Sequence, residues 1–238
     1  MRENLLLKTM TFYFFNDLAL NKMHKPIFSL FFLLTYLLNA QTVTNHELKP
    51  KGVYKEIDFM KEYKAIQSLS GKNKKIKQQT LDNVLKQPNN YNPTALYAIS
   101  RELFNLDKKD SASFWFYVGQ IRARYDANLC MDISAKQAVS VLNQEYGNEI
   151  NQYAFENLDT LKANVTNAVE FVRANEEKYD HRWINLYGMQ AVQSSFGNDN
   201  LKEISQPKSK WAEIKQKTLD DYYGDFLQAY ARFKKMKK

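Results

Sequence analysis

Glycine and proline are scarce in this sequence, with 7 and 5 of them among 238 residues. A β-sandwich or β-barrel needs many tight turns, and those turns depend on the positive φ of glycine and the fixed φ of proline. The scarcity therefore favours helices over an all-β fold. Because 44% of the residues are apolar and 15 Tyr and 15 Phe are among them, the chain has enough apolar surface for one domain with its own core.

Residues that bind metals or act as nucleophiles are also few. The single cysteine, Cys130, has no partner for an internal disulfide, and we interpret it as a small buried residue within a helix, with a reactive thiol as the alternative. Beyond the first 40 residues the only histidines are His46 and His181. The chain contains no His-Glu-x-x-His or Cys-x-x-Cys spacing and no glycine-rich nucleophile elbow. The sequence thus predicts no metal site, no cofactor and no catalytic residue of these classes.

The amino terminus has the three parts of a secretory signal peptide. Lys25 supplies the positive charge, residues 27–38 form an apolar stretch, and the small residue Ala40 follows. The stretch is shorter than the roughly 20 apolar residues that span a bilayer. We predict that residues 1–40 are an export signal, with Met23 as the true start and cleavage after Ala40, and that no stable membrane insertion remains after cleavage. The alternative is an uncleaved amino-terminal anchor.

The net charge is +8, and removal of residues 1–40 leaves the chain basic. A basic protein attracts nucleic acid, anionic glycans and lipid headgroups without specificity, so the charge alone assigns no function. Because the predicted export signal places the mature protein in the periplasm or outside the cell, we expect no nucleic acid among its partners.

Residues 41–90 are predicted to form a polar lead segment with one helix. The first part of it, residues 41–72, is rich in lysine and has only scattered apolar residues, so we expect no core element there. Ile76, Thr80 and Val84 recur at helical spacing, and Pro88 should end that helix.

Residues 91–238 are predicted to form a helical domain. Asn92 is a suitable cap for a helix that begins with Pro93. A second helix, which Asp110 or Ser111 caps and which runs toward Leu129, is apolar on nearly all sides and must therefore be buried. Periodicity alone leaves a buried strand open as an alternative for this second segment.

Three further segments complete the predicted domain. A helix after Asp132 should stop at Gly147, and residues 158–172 carry the clearest amphipathic stripe of the chain. Residues 175–209 read as a long loop or a broken helix, and residues 211–238 as a last packing helix with a basic tail. The order predicts a mainly α fold, either a helical bundle or a short solenoid-like array of antiparallel helices.

Residues 93–124 resemble one unit of the tetratricopeptide or SEL1-like helical repeat families. The matching positions are Leu96, Ile99, Ser100 and Leu103 on the first helix and Ala112, Phe116 and Gly119 on the second. In those families such positions let two antiparallel helices close on each other, and the resemblance implies a role in protein binding. The segment departs from the pattern at Arg124, where a terminal proline is usual, and no second copy follows in register, so dissimilar helices must cover the hairpin.

Charged residues that continue the aromatic helix form the first candidate binding cluster. Its members are Arg122, Arg124, Tyr125 and Asp126. Charges on the extension of a buried helix must either pair internally or emerge at a groove, because an isolated buried charge is strongly unfavourable. We predict that they emerge at a binding site.

The second candidate cluster consists of Asp180, His181, Arg182 and Trp183. Trp and Arg are common anchors of protein interfaces, so an exposed surface around Arg182 and Trp183 is predicted to contact the partner. The alternative is that Trp183 fills the core while Asp180 and Arg182 pair at the surface.

The functional expectation is an exported bacterial protein without enzymatic activity that binds another protein of the envelope or a delivered protein. An adaptor and an immunity protein against a delivered toxin both belong to this class. One alternative is a cell-envelope glycan hydrolase with a carboxylate pair, for which Glu102 is the candidate acid. A second alternative is a basic module that binds anionic glycan or lipid.

Overall fold

A computed structural model describes residues 49–197 and 202–236. The predicted export signal, its cleavage site and His46 lie outside these residues. All regular elements in the described part are helical, and one isolated antiparallel bridge joins Cys130 to Ser205. The predicted mainly α fold is confirmed. Within the described residues, no helix combines the length and the apolar character that crossing a membrane requires.

Eight α-helices follow one another in the described part of the chain: α1 (Met60–Ser70), α2 (Lys74–Lys86), α3 (Pro93–Asn105), α4 (Lys109–Leu129), α5 (Gln137–Glu156), α6 (Leu158–Ala174), α7 (Met189–Ser195) and α8 (Trp211–Met236). Short 3-10 helices cover Gly52–Glu56, Pro88–Asn90, Ile133–Lys136, His181–Tyr187 and Lys208–Lys210.

The centre of the fold is α4, which packs against α3, α5, α6 and α8. Its residues Phe116, Tyr117, Val118 and Ile121 are fully or almost fully buried. This confirms the predicted burial of the aromatic segment and decides between helix and strand in favour of the helix. A helix that is apolar on most sides is stable only when other elements surround it.

The hairpin of α3 and α4 begins as predicted. The side chain of Asn92 accepts a hydrogen bond from the Thr94 N–H at 3.0 Å, and Pro93 occupies the first helical position. Asp107, in the turn between the two helices, has a φ of 58°, a left-handed conformation that Asp tolerates better than most residues.

The lead segment contributes more to the core than the sequence suggested. The expectation of one helix is wrong, because α1 precedes α2 and packs on α3. Tyr54, Ile57 and Leu69 are buried, so residues between 41 and 72 do form core elements. The segment looked polar because the buried face of α1 is narrow and includes Ala65 and a glutamate, Glu62.

Gly147 does not end the third predicted helix, since α5 continues through it to Glu156. A Cβ atom at this position would lie 2.7 Å from Cζ of Phe116 and 2.8 Å from Nδ2 of Asn151. The glycine therefore allows α5 to approach the ring of Phe116 on α4, and it is compatible with a helix interior at a cost of about 1 kcal/mol relative to alanine.

The predicted cap of α4 is wrong, because this helix begins at Lys109 and therefore includes Asp110 and Ser111. The predicted apolar stripes of the last two long helices are confirmed. The stripe on α6 is buried at Leu161, Val165, Val169 and Val172, and α8 buries Leu219, Tyr222, Phe226 and Tyr230. Between them, the described residues include a broken helix, formed by the 3-10 helix His181–Tyr187 and by α7. The second candidate cluster lies at the start of this 3-10 helix, which Asp180 caps.

Candidate functional site

The two candidate clusters come together around Asp126, which is fully buried on α4. Its Oδ2 atom accepts hydrogen bonds from the Tyr179 hydroxyl at 3.0 Å and from Nε1 of Trp183 at 2.7 Å. Its Oδ1 atom lies 2.5 Å from Nδ1 of His181. We call these four side chains the Asp126 network. It fixes the segment after α6 to the central helix.

His181 is the titratable partner of Asp126 in this network. Burial acts to lower the pKa of His181, but the charge of Asp126 and the hydrogen bond to it raise the pKa above its ordinary value. Burial also raises the pKa of Asp126. The charge of His181 and the hydrogen bonds from His181, Trp183 and Tyr179 act to lower this pKa, but the effect of burial is larger. The imidazole further contacts the rings of Tyr125 and Trp211, with centroid distances of 5.2 and 4.9 Å.

An Asp–His pair of this kind serves as a general base when a nucleophile donates to its second nitrogen. No Ser, Thr or Cys side chain in the described residues forms a hydrogen bond with His181. Cys130 lies elsewhere, where its Sγ contacts Oδ1 of Asn185 at 2.9 Å. Burial raises the pKa of Cys130 to about 11, so the group is a thiol at neutral pH, as expected for a small buried residue. It caps the end of α4 and does not lie within the helix.

Arg122, one helical turn before Asp126, is also fully buried and internally paired. Its guanidinium donates to Oδ1 of Asn89 at 2.6 Å and to the carbonyl oxygen of Pro88 at 3.2 Å, and Nε lies 3.4 Å from Oε1 of Glu177. The second carboxylate oxygen of Glu177 accepts from Lys215 at 2.8 Å. Arg122 thus stabilises the packing of α4 on two loops, and its guanidinium does not reach the surface.

Only three of the eight predicted binding residues keep some exposure: Arg124, Asp180 and Arg182. Arg182 pairs with Asp180 at 2.8 Å and lies 3.7 Å from Glu56. Trp183 has only 2% of its surface exposed, so the prediction of an exposed Trp183 is wrong, and the alternative of Trp183 in the core with an Asp180–Arg182 pair is confirmed. The reason is the Asp126 carboxylate, which satisfies the indole N–H inside the core.

The described residues contain no group of three or more His, Cys, Asp or Glu side chains that could hold a metal ion.

A surface groove that the sequence did not reveal adjoins the Asp126 network. This apolar groove has a volume of about 270 Å³ and is lined by Phe59, Tyr63, Ile66, Leu186 and Tyr187, with Glu62, Asn92, Thr94 and Trp183. Phe59, Tyr63 and Tyr187 are 43%, 46% and 52% exposed. Trp183 belongs both to the Asp126 network and to the wall of this groove. The buried network thus positions one wall of an open apolar site.

Glu62 places a single carboxylate in the lining of the apolar groove. It is 4% exposed, and its Oε1 atom accepts the Asn92 N–H at 3.1 Å. The nearest cation, Lys61, lies 3.6 Å from the same oxygen. Within residues 49–197 and 202–236, Oε2 of Glu62 has no hydrogen-bond partner, so one acceptor is available to a ligand.

Sequence reasoning missed this groove because its walls are distant in the chain. The only local signal is the pair Phe59 and Tyr63, which are four residues apart and flank Glu62 at the start of α1. Tyr187 and Leu186 belong to the 3-10 helix His181–Tyr187, which the Asp126 network anchors to α4 through His181 and Trp183.

A second groove, of about 700 Å³, surrounds the candidate acid Glu102. We call it the lysine groove, because Lys72, Lys74, Lys75 and Lys77 line it together with Gly71, Gln78, Glu102, Asn105 and Leu106. Glu102 is buried and accepts from Lys77 at 2.7 Å. A glycan hydrolase needs two carboxylates, one on each side of the scissile bond. Among the described residues, Glu102 is the only carboxylate in this lining. This groove therefore gives the hydrolase alternative no support.

Comparison with known proteins finds no matching protein family, no matching curated protein and no matching solved structure. The resemblance of residues 93–124 to a helical repeat unit stays a prediction based on those residues.

Proposed function

We propose that this protein is a binding protein whose apolar groove receives an apolar side chain of a partner protein. The observation that carries the proposal is the set of three half-exposed aromatic rings, Phe59, Tyr63 and Tyr187, around one concave site. Aromatic residues are enriched at protein interfaces, and hot spots concentrate in pockets where a few such side chains become fully desolvated.

The size and the polarity of the groove favour a protein side chain as the occupant. Its volume of about 270 Å³ lies at the lower limit of the roughly 300–1,000 Å³ typical of small-molecule sites, and a single large side chain is the better match in size. The free Oε2 acceptor of Glu62 favours a segment in which a donor, such as a backbone N–H or an amine, lies beside the apolar anchor.

Rigid support of the groove is consistent with specific binding. Trp183 forms part of the wall, and its indole N–H is fixed by the buried Asp126 at 2.7 Å. A wall that is already in place reduces the conformational entropy lost on association.

The location of the partner follows from the predicted export signal and is part of the proposal. If residues 1–40 direct export, the partner is a protein of the envelope or one delivered to it. An adaptor and an immunity protein would both act through such a groove.

Removal of the aromatic walls tests this proposal. The full chain is immobilised and exposed to envelope extract, and the same is done with Tyr63→Ser, Tyr187→Ser and the control Phe196→Ser. Phe196 is 77% exposed and is not part of the groove. We expect one stoichiometric partner on the parent and on the control, and a loss of at least ~2 kcal/mol of binding free energy, about 30-fold in Kd, for each groove variant.

Circular dichroism establishes that each variant is folded. A partner that binds all four proteins equally would place the interface elsewhere. The absence of any stoichiometric partner for the parent would also contradict the proposal.

A further inference from the structure

We infer that the lysine groove is a binding site for a ligand that carries phosphate groups. Four lysine side chains and one carboxylate, that of Glu102, line this groove of about 700 Å³. Four positive charges less one negative charge leave a net charge of three positive units. A concave surface of one sign raises the local concentration of counter-ions and of charged ligands.

Three of the four ammonium groups have no carboxylate partner among the described residues. Lys77 is neutralised by Glu102 at 2.7 Å. Lys72, Lys74 and Lys75 form no ion pair with any carboxylate in the described part of the chain. All three are exposed, so their charges are available to a ligand in the groove.

Stability does not explain these lysines. Lys74 and Lys75 lie in the first turn of α2, and this first turn contains no acidic residue. Positive charges near a helix amino terminus oppose the helix dipole and weaken the helix. Residues that lower local stability and form no compensating interaction are expected at functional sites.

The helix amides do not provide the site by themselves. The N–H groups of Lys75 and Ile76 already donate to Oδ1 of Asn73 at 3.0 and 3.2 Å. The ammonium groups must therefore supply most of the ligand's partners. Near the end of α3, the carbonyl oxygen of Glu102 accepts a hydrogen bond from the N–H of Leu106, and that of Leu103 accepts one from the N–H of Lys108. Because these carbonyl oxygens are already hydrogen-bonded, they repel an anion in the groove less strongly.

Several ammonium groups in one groove match the chemistry of phosphate. Lysine binds phosphate as a compact point charge, and a phosphate monoester carries about −1.5 to −2 charge with three acceptor oxygens. The volume lies in the range of roughly 300–1,000 Å³ that small-molecule sites occupy, so the site has room for a phosphate together with the group that bears it. The source is either a soluble phosphorylated compound or a lipid headgroup.

The test uses the full chain and two probes near physiological ionic strength of about 0.15 M. Inorganic pyrophosphate is titrated by calorimetry, and vesicles of phosphatidylcholine with and without phosphatidylglycerol are sedimented with the protein. The groove variant is Lys72→Gln/Lys74→Gln/Lys75→Gln. The control is Lys64→Gln/Lys136→Gln/Lys210→Gln, which removes the same charge from three exposed lysines outside the groove.

We expect the groove variant to lose roughly tenfold or more in affinity for at least one probe, and the control to stay close to the parent. A loss for pyrophosphate assigns the site to a soluble ligand, and a loss only for phosphatidylglycerol vesicles assigns it to a lipid headgroup. Equal losses in both variants, or no binding of either probe by the parent, would overturn the inference.

Glu102→Gln provides a test with the opposite sign. It frees Lys77 from its ion pair while the shape of the side chain is kept. The affinity for the probe that the parent binds should rise by about threefold or more, because the groove gains one net positive charge. An affinity that does not rise would contradict the assignment of Lys77 and Glu102 to this site.

Discussion

The Asp126 network and the lysine groove are both rich in polar side chains, but their charges are compensated in different ways. Asp126 accepts hydrogen bonds from Tyr179 and Trp183 and contacts His181, all inside the core. In the lysine groove only Lys77 has a carboxylate partner among the described residues. Buried polar groups must be paired with one another, whereas exposed charges are solvated by water and remain accessible to a ligand.

This difference explains why the Asp126 network, which is the densest cluster of polar and titratable side chains, is not itself accessible to a partner. The Asp126 network holds Trp183 in the wall of the apolar groove, and under the proposed function it would contribute to binding through this residue. The exposed residues of the two grooves are the ones that a partner or ligand would touch. We therefore expect mutations in the network to affect stability first and mutations in the grooves to affect binding first.

Asp126→Ala should have the largest effect on stability. The change removes a buried acceptor and leaves Tyr179, Trp183 and His181 without their partner. Loss of one member of a buried charged pair destabilises a protein by about 3–5 kcal/mol, so urea unfolding should show a decrease of that size.

Asp221→Ala is the matched control for this prediction. Asp221 is exposed and pairs with Lys217 at 2.8 Å, one turn away on α8. Exposed pairs with this spacing contribute little to stability, because water and salt screen them. If Asp126→Ala cost no more than Asp221→Ala, the Asp126 network would not be a stabilising element.

Gly147→Ala and Gly224→Ala should change stability in opposite directions. A Cβ atom at Gly147 would clash with Phe116 at 2.7 Å, whereas the position of a Cβ atom at Gly224 has no atom within 4 Å outside its own local backbone. Overpacking costs about 1–3 kcal/mol, and alanine in a helix interior gains roughly 0.5–1 kcal/mol over glycine. Thermal unfolding should therefore show a lower Tm for Gly147→Ala and a higher Tm for Gly224→Ala than for the parent.

Equal shifts for the two glycine variants would contradict the close packing of α5 on α4. An increase in Tm for Gly147→Ala would show that Phe116 can move away without loss of packing.

The pH dependence of stability should reveal the Asp126–His181 pair with a smaller effect. The pKa of His181 is raised above 6.5 and that of Asp126 above 3.8 in the folded protein. A raised folded pKa stabilises the protein fully below the unfolded pKa, and this stabilisation is lost as the pH rises through the folded pKa. As the pH rises from about 6 into the alkaline range, the parent should therefore lose stability relative to Asp126→Asn/His181→Gln, in which neither group titrates.

Urea unfolding of both proteins across this pH range measures the difference. A parent that gains stability relative to the double variant as the pH rises would show that the pKa shifts have the opposite sign.

The sequence allowed the larger helices to be predicted because their apolar residues recur at helical spacing. Leu161, Val165 and Val172 form such a stripe on α6, and the core buries them. The same reasoning failed at Gly147, since a glycine marks both helix ends and close helix contacts, and only the position of Phe116 distinguishes the two.

Site prediction from the sequence selected residues that lie close together in the fold, but it did not reveal that most of them are buried. Asp126, His181 and Trp183 were chosen for their chemistry, and they do lie together. Whether they are buried depends on contacts between segments about 55 residues apart, which no local pattern encodes. The apolar groove was missed for the same reason, because Tyr63 and Tyr187 meet only in the folded chain.

The smallest expected effect is the stability change in the lysine groove. Lys72→Gln/Lys74→Gln/Lys75→Gln removes three exposed charges that have no ion-pair partner in the described residues, and two of them oppose the dipole of α2. Surface substitutions of this kind usually change stability by less than about 0.5 kcal/mol, and relief of the unfavourable dipole interaction should make the change stabilising. The free energy of unfolding of the triple variant in urea should thus equal or slightly exceed that of the parent, while its affinity for a phosphate probe falls. A destabilisation of more than about 1 kcal/mol would mean that these lysines support the fold, as the Asp126 network does, and the contrast between paired and free charge would no longer hold.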